Sequence, residues 1–155
     1  MPRTALSDPR SGCPISLALE VWGDPWSLLI VRDLMFKGFR TFNEFLTAGE
    51  GIATNILTDR LERLERVHIL SKQPDDADGR RFVYRLTSKG VELAPMLLEL
   101  VLWSAKYHDT DAPASTLKEM RKHRARYLAR LRKKLTGSDR DRASSKASVR
   151  LRRRP

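Results

Sequence analysis

Residues 41–67, TFNEFLTAGEGIATNILTDRLERLERV, carry the pattern that decides the fold. Thr41 with Glu44 three positions later is a capping box, so it begins a short helix that the following glycines end. From residue 53 to about residue 67, apolar residues recur every three or four positions, which predicts an amphipathic helix after a tight turn. A helix, a short turn and a second helix make a helix-turn-helix unit.

The residues before this unit predict two further helices. Pro14 suits the first position of a short helix, and Gly23-Asp24-Pro25 ends it. Pro25 then begins a helix that is apolar almost all round and that we expect to continue to Gly38. The N-terminal side of the chain is therefore helical, and the second of these helices should lie at the centre of the core.

The residues after the unit predict a β-hairpin and a long helix. Residues 69–73 and 82–86 are short β-type runs, and the turn-rich loop PDDADGRR joins them. Residues 88–107 are then expected to form one helix that Pro95 kinks. The predicted fold is mainly α with a small β-hairpin, a winged helix-turn-helix.

The long predicted helix, residues 88–107, is apolar around most of its circumference. One small domain would cover only part of such a surface, so we expect a second subunit to cover the rest. The sequence thus predicts a homodimer that uses this helix together with the helix after Cys13.

Charge divides the chain into a nearly neutral body and a basic C-terminal part. The net charge is +11, yet residues 115–155 alone hold sixteen Lys and Arg against three Asp and Glu, a net of +13. We expect a flexible leader at residues 1–12, a DNA-binding and dimerisation domain at 13–107 and a linker at 108–114. A basic amphipathic helix at 115–135 and a disordered basic tail at 136–155 should follow.

Two kinds of partner fit the basic part. The first is duplex DNA, which would be held through the release of its counterions. Without any partner, the basic part would be a solvated extension that only aids solubility. The alternative to sequence-specific DNA binding is a membrane-surface or protein-interaction module in which residues 115–135 lie on anionic lipid. The absence of Trp and Phe from that apolar stripe disfavours the lipid.

Several classes of protein are excluded or disfavoured by what the sequence lacks. One cysteine permits no intrachain disulfide, and no phosphate-binding, nucleophile-elbow or zinc-protease motif is present, so we expect neither an enzyme nor a cofactor or metal. No apolar run is long enough for stable membrane insertion, and the first residues do not form a signal peptide. We expect the protein to be cytoplasmic and associated with the nucleoid.

Several motifs resemble one family. They are Cys13-Pro14-Ile15, the run from Leu19 to Ile30 (LEVWGDPWSLLI), Phe42-Asn43-Glu44, Gly51-Ile52-Ala53, Leu57-Thr58-Asp59-Arg60-Leu61 and Tyr84-Arg85-Leu86-Thr87. Over about residues 13–107 the chain resembles the HxlR-type transcriptional regulators of bacteria. The resemblance implies a homodimer that binds operator DNA as a repressor or an activator, in some members as a sensor of redox state or electrophiles. An unidentified small-molecule effector is also compatible with such a regulator.

The chain departs from the family pattern at three places. Ala53 stands where members often have a Ser that caps the recognition helix, and His68 stands where they often have Gly. The loop from Asp75 to Arg81 is more similar to the wing of the related MarR family. The resemblance therefore implies DNA contacts for the wing less directly than for the recognition helix.

The candidate DNA contacts lie at the start of the second helix of the pair. Asn55 can bind adenine through two hydrogen bonds, and Thr54 and Thr58 can meet bases or thymine methyl groups; a solvated polar face is the alternative. Arg60 projects near the apolar stripe, so we expect an anchoring ion pair or a phosphate contact from it, and Arg63 should be the more exposed cation. We include Thr41 among the candidate DNA-binding residues.

The hairpin loop and the N-terminal cysteine supply the remaining candidates. Arg80 and Arg81 could enter a minor groove or hold a phosphate, or they could pair within the loop with its three aspartates. Cys13 precedes Pro14 at a predicted helix start, where the helix dipole favours a reactive thiolate. It is a candidate redox sensor or else a cysteine without a role.

Overall fold

A computed structural model of the chain describes residues 9–136. Its contacts divide the chain into two compact units, one that ends at Gly90 and one that begins at Val91. Most of the predicted leader and all but the first residue of the predicted tail lie outside the described residues. Within residues 9–136, no helix has the length and the apolar character that crossing a membrane requires.

The first unit has the element order of a winged helix-turn-helix. Its elements are α1 (Pro14–Trp22), α2 (Pro25–Arg32), a π-helical turn (Asp33–Lys37), α3 (Phe42–Leu46), α4 (Thr54–Arg66), β1 (Leu70–Pro74) and β2 (Phe82–Leu86). The predicted fold class is confirmed. The two strands form an antiparallel sheet in which Leu70 lies opposite Leu86 and Pro74 lies opposite Phe82.

Apolar side chains of α2, the π turn, α3, α4 and the hairpin are buried, whereas α1 has no buried residue. Val31, Leu34, Met35, Leu57 and Leu64 have no exposed surface. The ring of Phe45 meets that of Tyr84 edge to face, with the centroids 6.0 Å apart. This core fixes the helix pair against the hairpin and leaves the outer face of α4 in solvent.

The second predicted helix is shorter than expected. We predicted one helix from Pro25 to Gly38, but the α-helical part ends at Arg32 and residues 33–37 form a π turn, which Gly38 ends with a φ of 76°. Asp33 is buried in this turn, where Arg32 Nη2 lies 2.7 Å and Lys37 Nζ 3.3 Å from its Oδ1. The apolar pattern alone does not reveal such a buried charge cluster.

The region after the hairpin also differs from the prediction of one kinked helix. Residues 88–107 form two helices, α5 (Ser88–Val91) at the boundary of the units and α6 (Ala94–Tyr107) in the second unit. Pro95 stands in the first turn of α6, where its missing N–H costs no hydrogen bond, so it begins a helix and does not bend one.

The basic segment of the second unit is two helices. They are α7 (Ala114–Lys122) and α8 (residues 124–136), and His123 separates them with φ −130° and ψ 41°. The prediction of one continuous helix over residues 115–135 is therefore wrong at His123, where the chain leaves the helical conformation between two separate helices. Non-helical residues 108–113 connect α6 to α7.

Candidate nucleic-acid interface

The first turns of α4 expose the polar side chains that the sequence analysis singled out. Thr54, Asn55 and Thr58 are exposed, while Leu57 and Leu61 on the other side of the helix are buried. Thr58 Oγ1 donates a hydrogen bond to the carbonyl oxygen of Thr54 at 2.9 Å. Asn55 makes no side-chain hydrogen bond within the described residues, so both ends of its amide are free to meet a base edge.

Arg60 is held at the back of this face by a carboxylate. Its Nε lies 3.1 Å from Oδ1 of Asp24, and its Nη1 lies 2.7 Å from Oδ2 of Asp59. The anchoring ion pair, one of the two roles expected for Arg60, is thus present in the structure. The pair connects the middle of α4 to the residue that precedes α2.

Asp24 does two things at once. Besides meeting Arg60, its Oδ1 accepts hydrogen bonds from the amides of Trp26 and Ser27, at 2.9 and 3.0 Å, and so caps α2. Partial burial raises the pKa of Asp24, but the hydrogen bonds from Ser27 and Trp26 and the charge of Arg60 outweigh it and leave the pKa below its usual value. The carboxylate therefore stays ionised at neutral pH.

Arg63 is a second anchor of α4, which corrects the prediction that it is an exposed cation. It is half-buried, and its Nη2 donates a hydrogen bond to the carbonyl oxygen of Glu20 in the last turn of α1. The last carbonyls of a helix have no partner within the helix and attract cations. No sequence pattern indicated that α1 ends within reach of Arg63.

The turn before α4 is fixed by an ion-pair cluster that the sequence analysis missed. Gly49 and Gly51 have φ angles of 96° and 74°, a backbone conformation that favours glycine. Glu50 between them accepts a hydrogen bond from Arg32 Nη1 at 2.7 Å, and the same guanidinium holds the buried Asp33. Arg32 thus ties the turn to the π turn of the core.

The wing brings its two arginines to an exposed loop. Arg80 and Arg81 are both exposed, and Nε of Arg81 lies 3.7 Å from Oδ2 of Asp78. The pairing within the loop is thus present for Arg81, as an exposed and long ion pair of small energetic weight. No ion pair holds the guanidinium of Arg80 among the described residues.

A cleft connects the wing to the start of α3. Its volume is about 370 Å³, and it is lined by Thr41, Phe42, Asn43, Arg80, Arg81, Phe82 and Tyr84. The amide of Tyr84 donates to the carbonyl oxygen of Arg40 at 2.7 Å, and this bond keeps the wing beside α3. Three predicted site residues, Thr41, Arg80 and Arg81, therefore meet in one cleft, together with Asn43, which the sequence analysis did not select.

Thr41 itself is engaged in the predicted capping box. Its Oγ1 donates to Oε2 of Glu44 at 2.9 Å and accepts from the amide of Glu44 at 3.4 Å. The side chain thus stabilises the start of α3 at the edge of the cleft. A contact from Thr41 to DNA remains a prediction.

Cys13 is exposed at the N-cap position of α1. The amides of Ser16 and Ile15 face its sulfur and lower the pKa of the thiol, although no complete side-chain hydrogen bond caps the helix. The expected thiol at a helix start is confirmed. Among the described residues, no group of three or more His, Cys, Asp and Glu side chains could hold a metal ion.

A family model and sequence relatives match this arrangement. The model of HxlR-like helix-turn-helix proteins matches residues 21–112. An uncharacterized HTH-type transcriptional regulator of Mycobacterium tuberculosis is 35% identical over 102 residues, which are 66% of this chain and 63% of that protein. The chain thus spans less than two thirds of the length of this relative.

Two solved structures share the fold. The crystal structure of PA1607, a provisionally assigned transcription factor, is 37% identical with a TM-score of 0.59 and covers 68% of this chain and 72% of its own. The redox regulator HypR in its oxidized form is 28% identical with a TM-score of 0.56, and covers 63% of this chain and 100% of its own.

Proposed function

The chain belongs to the HxlR-like helix-turn-helix family, and we propose that it is a DNA-binding transcriptional regulator that represses transcription as a homodimer on an inverted-repeat operator. The observation that carries the proposal is the exposed turn of Thr54, Asn55 and Thr58. It lies on a helix that Arg60 and Arg63 hold from behind. The protein would act on chromosomal DNA in the cytoplasm.

The division of labour within α4 supports base recognition by its first turns. A helix that reads bases must be held rigidly while a few side chains reach the floor of the major groove. Here the two arginines are occupied by Asp24 and by the carbonyl of Glu20, so they position the helix. Thr54, Asn55 and Thr58 remain to contact bases, and Arg80 remains to contact the backbone or the minor groove.

Exposed apolar side chains support the dimer. Ile15 and Leu19 of α1, and Leu100, Trp103 and Tyr107 of α6, are all more than two fifths exposed. Large apolar side chains grouped on a helix surface mark sites where another protein binds. A two-fold dimer would present two copies of α4, which is why we expect the operator to be an inverted repeat.

Selection of binding sites from a random-sequence duplex library tests the proposal. The enriched sequences should contain two inverted half-sites whose centres lie about one helical turn, or a small multiple of it, apart. In transcription from a promoter that carries the selected site, added protein should reduce the transcript. Enrichment of a single asymmetric half-site, or of no sequence, would contradict the proposal.

We further propose that the thiol of Cys13 senses oxidants or electrophiles. Its exposure, its lowered pKa and the likeness to the redox regulator HypR support this role. The 155 residues hold no second cysteine, so a disulfide would form between subunits or with a small thiol. Peroxide, diamide or a quinone should change the affinity of the wild-type protein for its selected operator, and Cys13→Ser should remove that response. An equal response in the variant would show that the thiol is not the sensor.

A further inference from the structure

The helices α7 and α8 lie beyond residues 21–112, the part of the chain that matches the family. Residues 114–136 hold nine Lys and Arg and a single acidic residue, Glu119. The family fold therefore does not account for the most basic part of the described structure.

The apolar side chains of these helices are buried. Met120 of α7 and Leu128, Leu131 and Leu135 of α8 are each less than a tenth exposed. A helix that binds a membrane surface needs its apolar face free to enter the lipid. Because that face is already covered, the surface that α7 and α8 present to a partner consists mainly of charged side chains.

Two of the nine cations are used within the second unit. Arg130 binds both carboxylate oxygens of Glu119, at 2.7 and 2.8 Å, and so fastens α8 to α7. This interaction lowers the pKa of Glu119 and keeps it ionised. Arg124 forms an ion pair with Glu99 of α6.

The other seven cations have no ion-pair partner among the described residues. All of them are exposed; they are Lys118, Arg121, Lys122, Arg126, Arg132, Lys133 and Lys134. Structural ion pairs thus account for only a small part of the charge, and the rest faces solvent.

The cations of α8 follow the outside of the helix. At 100° per residue, Arg126 and Lys133 lie opposite the buried leucines, and they are separated by roughly 10 Å along the axis. Arg132 and Lys134 flank this line. The four side chains, which we call the α8 basic face, spread positive charge over the solvent side of α8, and Arg130, which Glu119 neutralises, lies among them.

We propose that the α8 basic face binds the phosphate backbone of duplex DNA without regard to sequence and adds affinity to that of α4. This inference rests on the DNA-binding function proposed above. A group of exposed cations without ion-pair partners attracts a polyanion, and each phosphate that it neutralises releases counterions, which gives affinity but no sequence preference. Anionic lipid is the less suitable partner, because the apolar side chains that would enter it are buried.

The test measures binding of the full chain to a short random-sequence duplex at a series of salt concentrations. The variant Arg126→Gln, Arg132→Gln, Lys133→Gln, Lys134→Gln removes the charges and leaves Arg130 and Arg124 in place. The salt slope of the logarithm of the binding constant should fall by about 0.9 for each phosphate that the variant no longer neutralises. Affinities for the selected operator and for random duplex should fall by the same factor, because base recognition remains on α4.

The matched control keeps the charges at the same four positions. The variant Arg126→Lys, Arg132→Lys, Lys133→Arg, Lys134→Arg should retain the wild-type salt slope, since counterion release depends on the number of charges. Equal thermal unfolding of all three proteins would exclude an effect of folding.

Three outcomes separate the possibilities. An unchanged salt slope in the glutamine variant would overturn the proposal, as would binding to vesicles of phosphatidylserine and phosphatidylcholine at physiological salt without binding to duplex. A third outcome is that site selection yields no preferred sequence, while random duplex still binds with a salt slope that the glutamine variant reduces. This outcome would contradict the proposed operator function and support DNA binding by the α8 basic face.

Discussion

His68 follows α4 in a conformation that suits glycine. Its φ is 59°, and among the described residues no other non-glycine residue has a positive φ. At this same position the family resemblance of the sequence implies glycine. The left-handed conformation costs a residue with a Cβ about 1–2 kcal/mol, so the departure lowers the stability of the fold.

Replacement of His68 by Gly should therefore stabilise the protein. Part of the relieved strain is offset by the greater freedom of glycine in the unfolded chain, so the free energy of unfolding should rise by about 0.5–1 kcal/mol. Urea unfolding at neutral pH measures it. His68→Ala is the control, since it keeps the Cβ and should bring no gain. An equal gain from both variants would show that the imidazole, not the backbone, is the source of the strain.

Asn55 should account for one position of base preference. Asn55→Ala should lower the discrimination at one base step of each half-site by about 1–3 kcal/mol and leave the affinity for random duplex nearly unchanged. Competition binding with operators substituted at each position measures this. Glu62→Gln, on an exposed residue farther along α4, should shift the affinity for all sequences together. Equal loss on operator and random duplex in Asn55→Ala would place Asn55 outside base recognition.

At the scale of elements, the carboxylate of Asp24 joins two helices. Asp24→Ala removes both the cap of α2 and the partner of Arg60 and should lower the free energy of unfolding by about 1–3 kcal/mol. Asp24→Asn keeps a capping side chain and removes only the charge, so its loss should be smaller. Urea unfolding of both variants separates the two roles; equal losses would mean that the cap contributes nothing.

The pH dependence of stability gives a second measure of Asp24. Because the folded pKa of Asp24 lies below its ordinary value of 3.8, the carboxylate stabilises the fold above that pH. The contribution declines as the pH falls through this value and is gone below the folded pKa. Unfolding experiments on the acid side should therefore show a shallower decline for Asp24→Asn than for the wild type. Parallel declines would show that Asp24 has the same pKa in the folded and unfolded chains.

The sequence was sufficient for those elements that repeat a simple period or carry a local signal. The capping box of Thr41 and Glu44 and the apolar stripe of α4 each depend on residues that are close in sequence. Both α3, which begins with the capping box, and α4 are present. The π turn is different, since it depends on Asp33 being buried between Arg32 and Lys37. Such a cluster is stable only because the surrounding core holds it, and no local pattern encodes that core.

The candidate site shows the same limit. The exposed turn of Thr54, Asn55 and Thr58 follows from helical periodicity alone. The role of Arg63 depends on where α1 ends, and the presence of Asn43 beside the wing depends on the bond between Tyr84 and Arg40. These contacts join residues that are distant in sequence, so they require the tertiary structure.

At the scale of the whole molecule, the exposed face of α6 should hold two subunits together. We expect the wild-type protein to sediment as a dimer at micromolar concentration, because Leu100 and Trp103 are 44% and 59% exposed. The double variant Leu100→Glu, Trp103→Glu should sediment as a monomer and should bind the full operator no better than one half-site.

The control for this prediction is an exposed apolar residue elsewhere. Phe82 in the wing is 45% exposed, and Phe82→Ser should leave the sedimentation coefficient that of a dimer. A monomeric wild-type protein, or a dimer that tolerates both glutamates, would show that α6 is not the contact between subunits.

The start of α4 has one more consequence. Ala53 holds the N-cap position and has no side-chain acceptor, so the amide hydrogens of Thr54, Asn55 and Ile56 are left to water. In hydrogen exchange these amides should be labelled early, whereas the amide of Leu57, bound to the carbonyl of Ala53, should be protected. The turn that we propose to meet DNA thus begins with three amide donors that no side chain of the protein occupies, and a phosphate oxygen of bound DNA could accept hydrogen bonds from them.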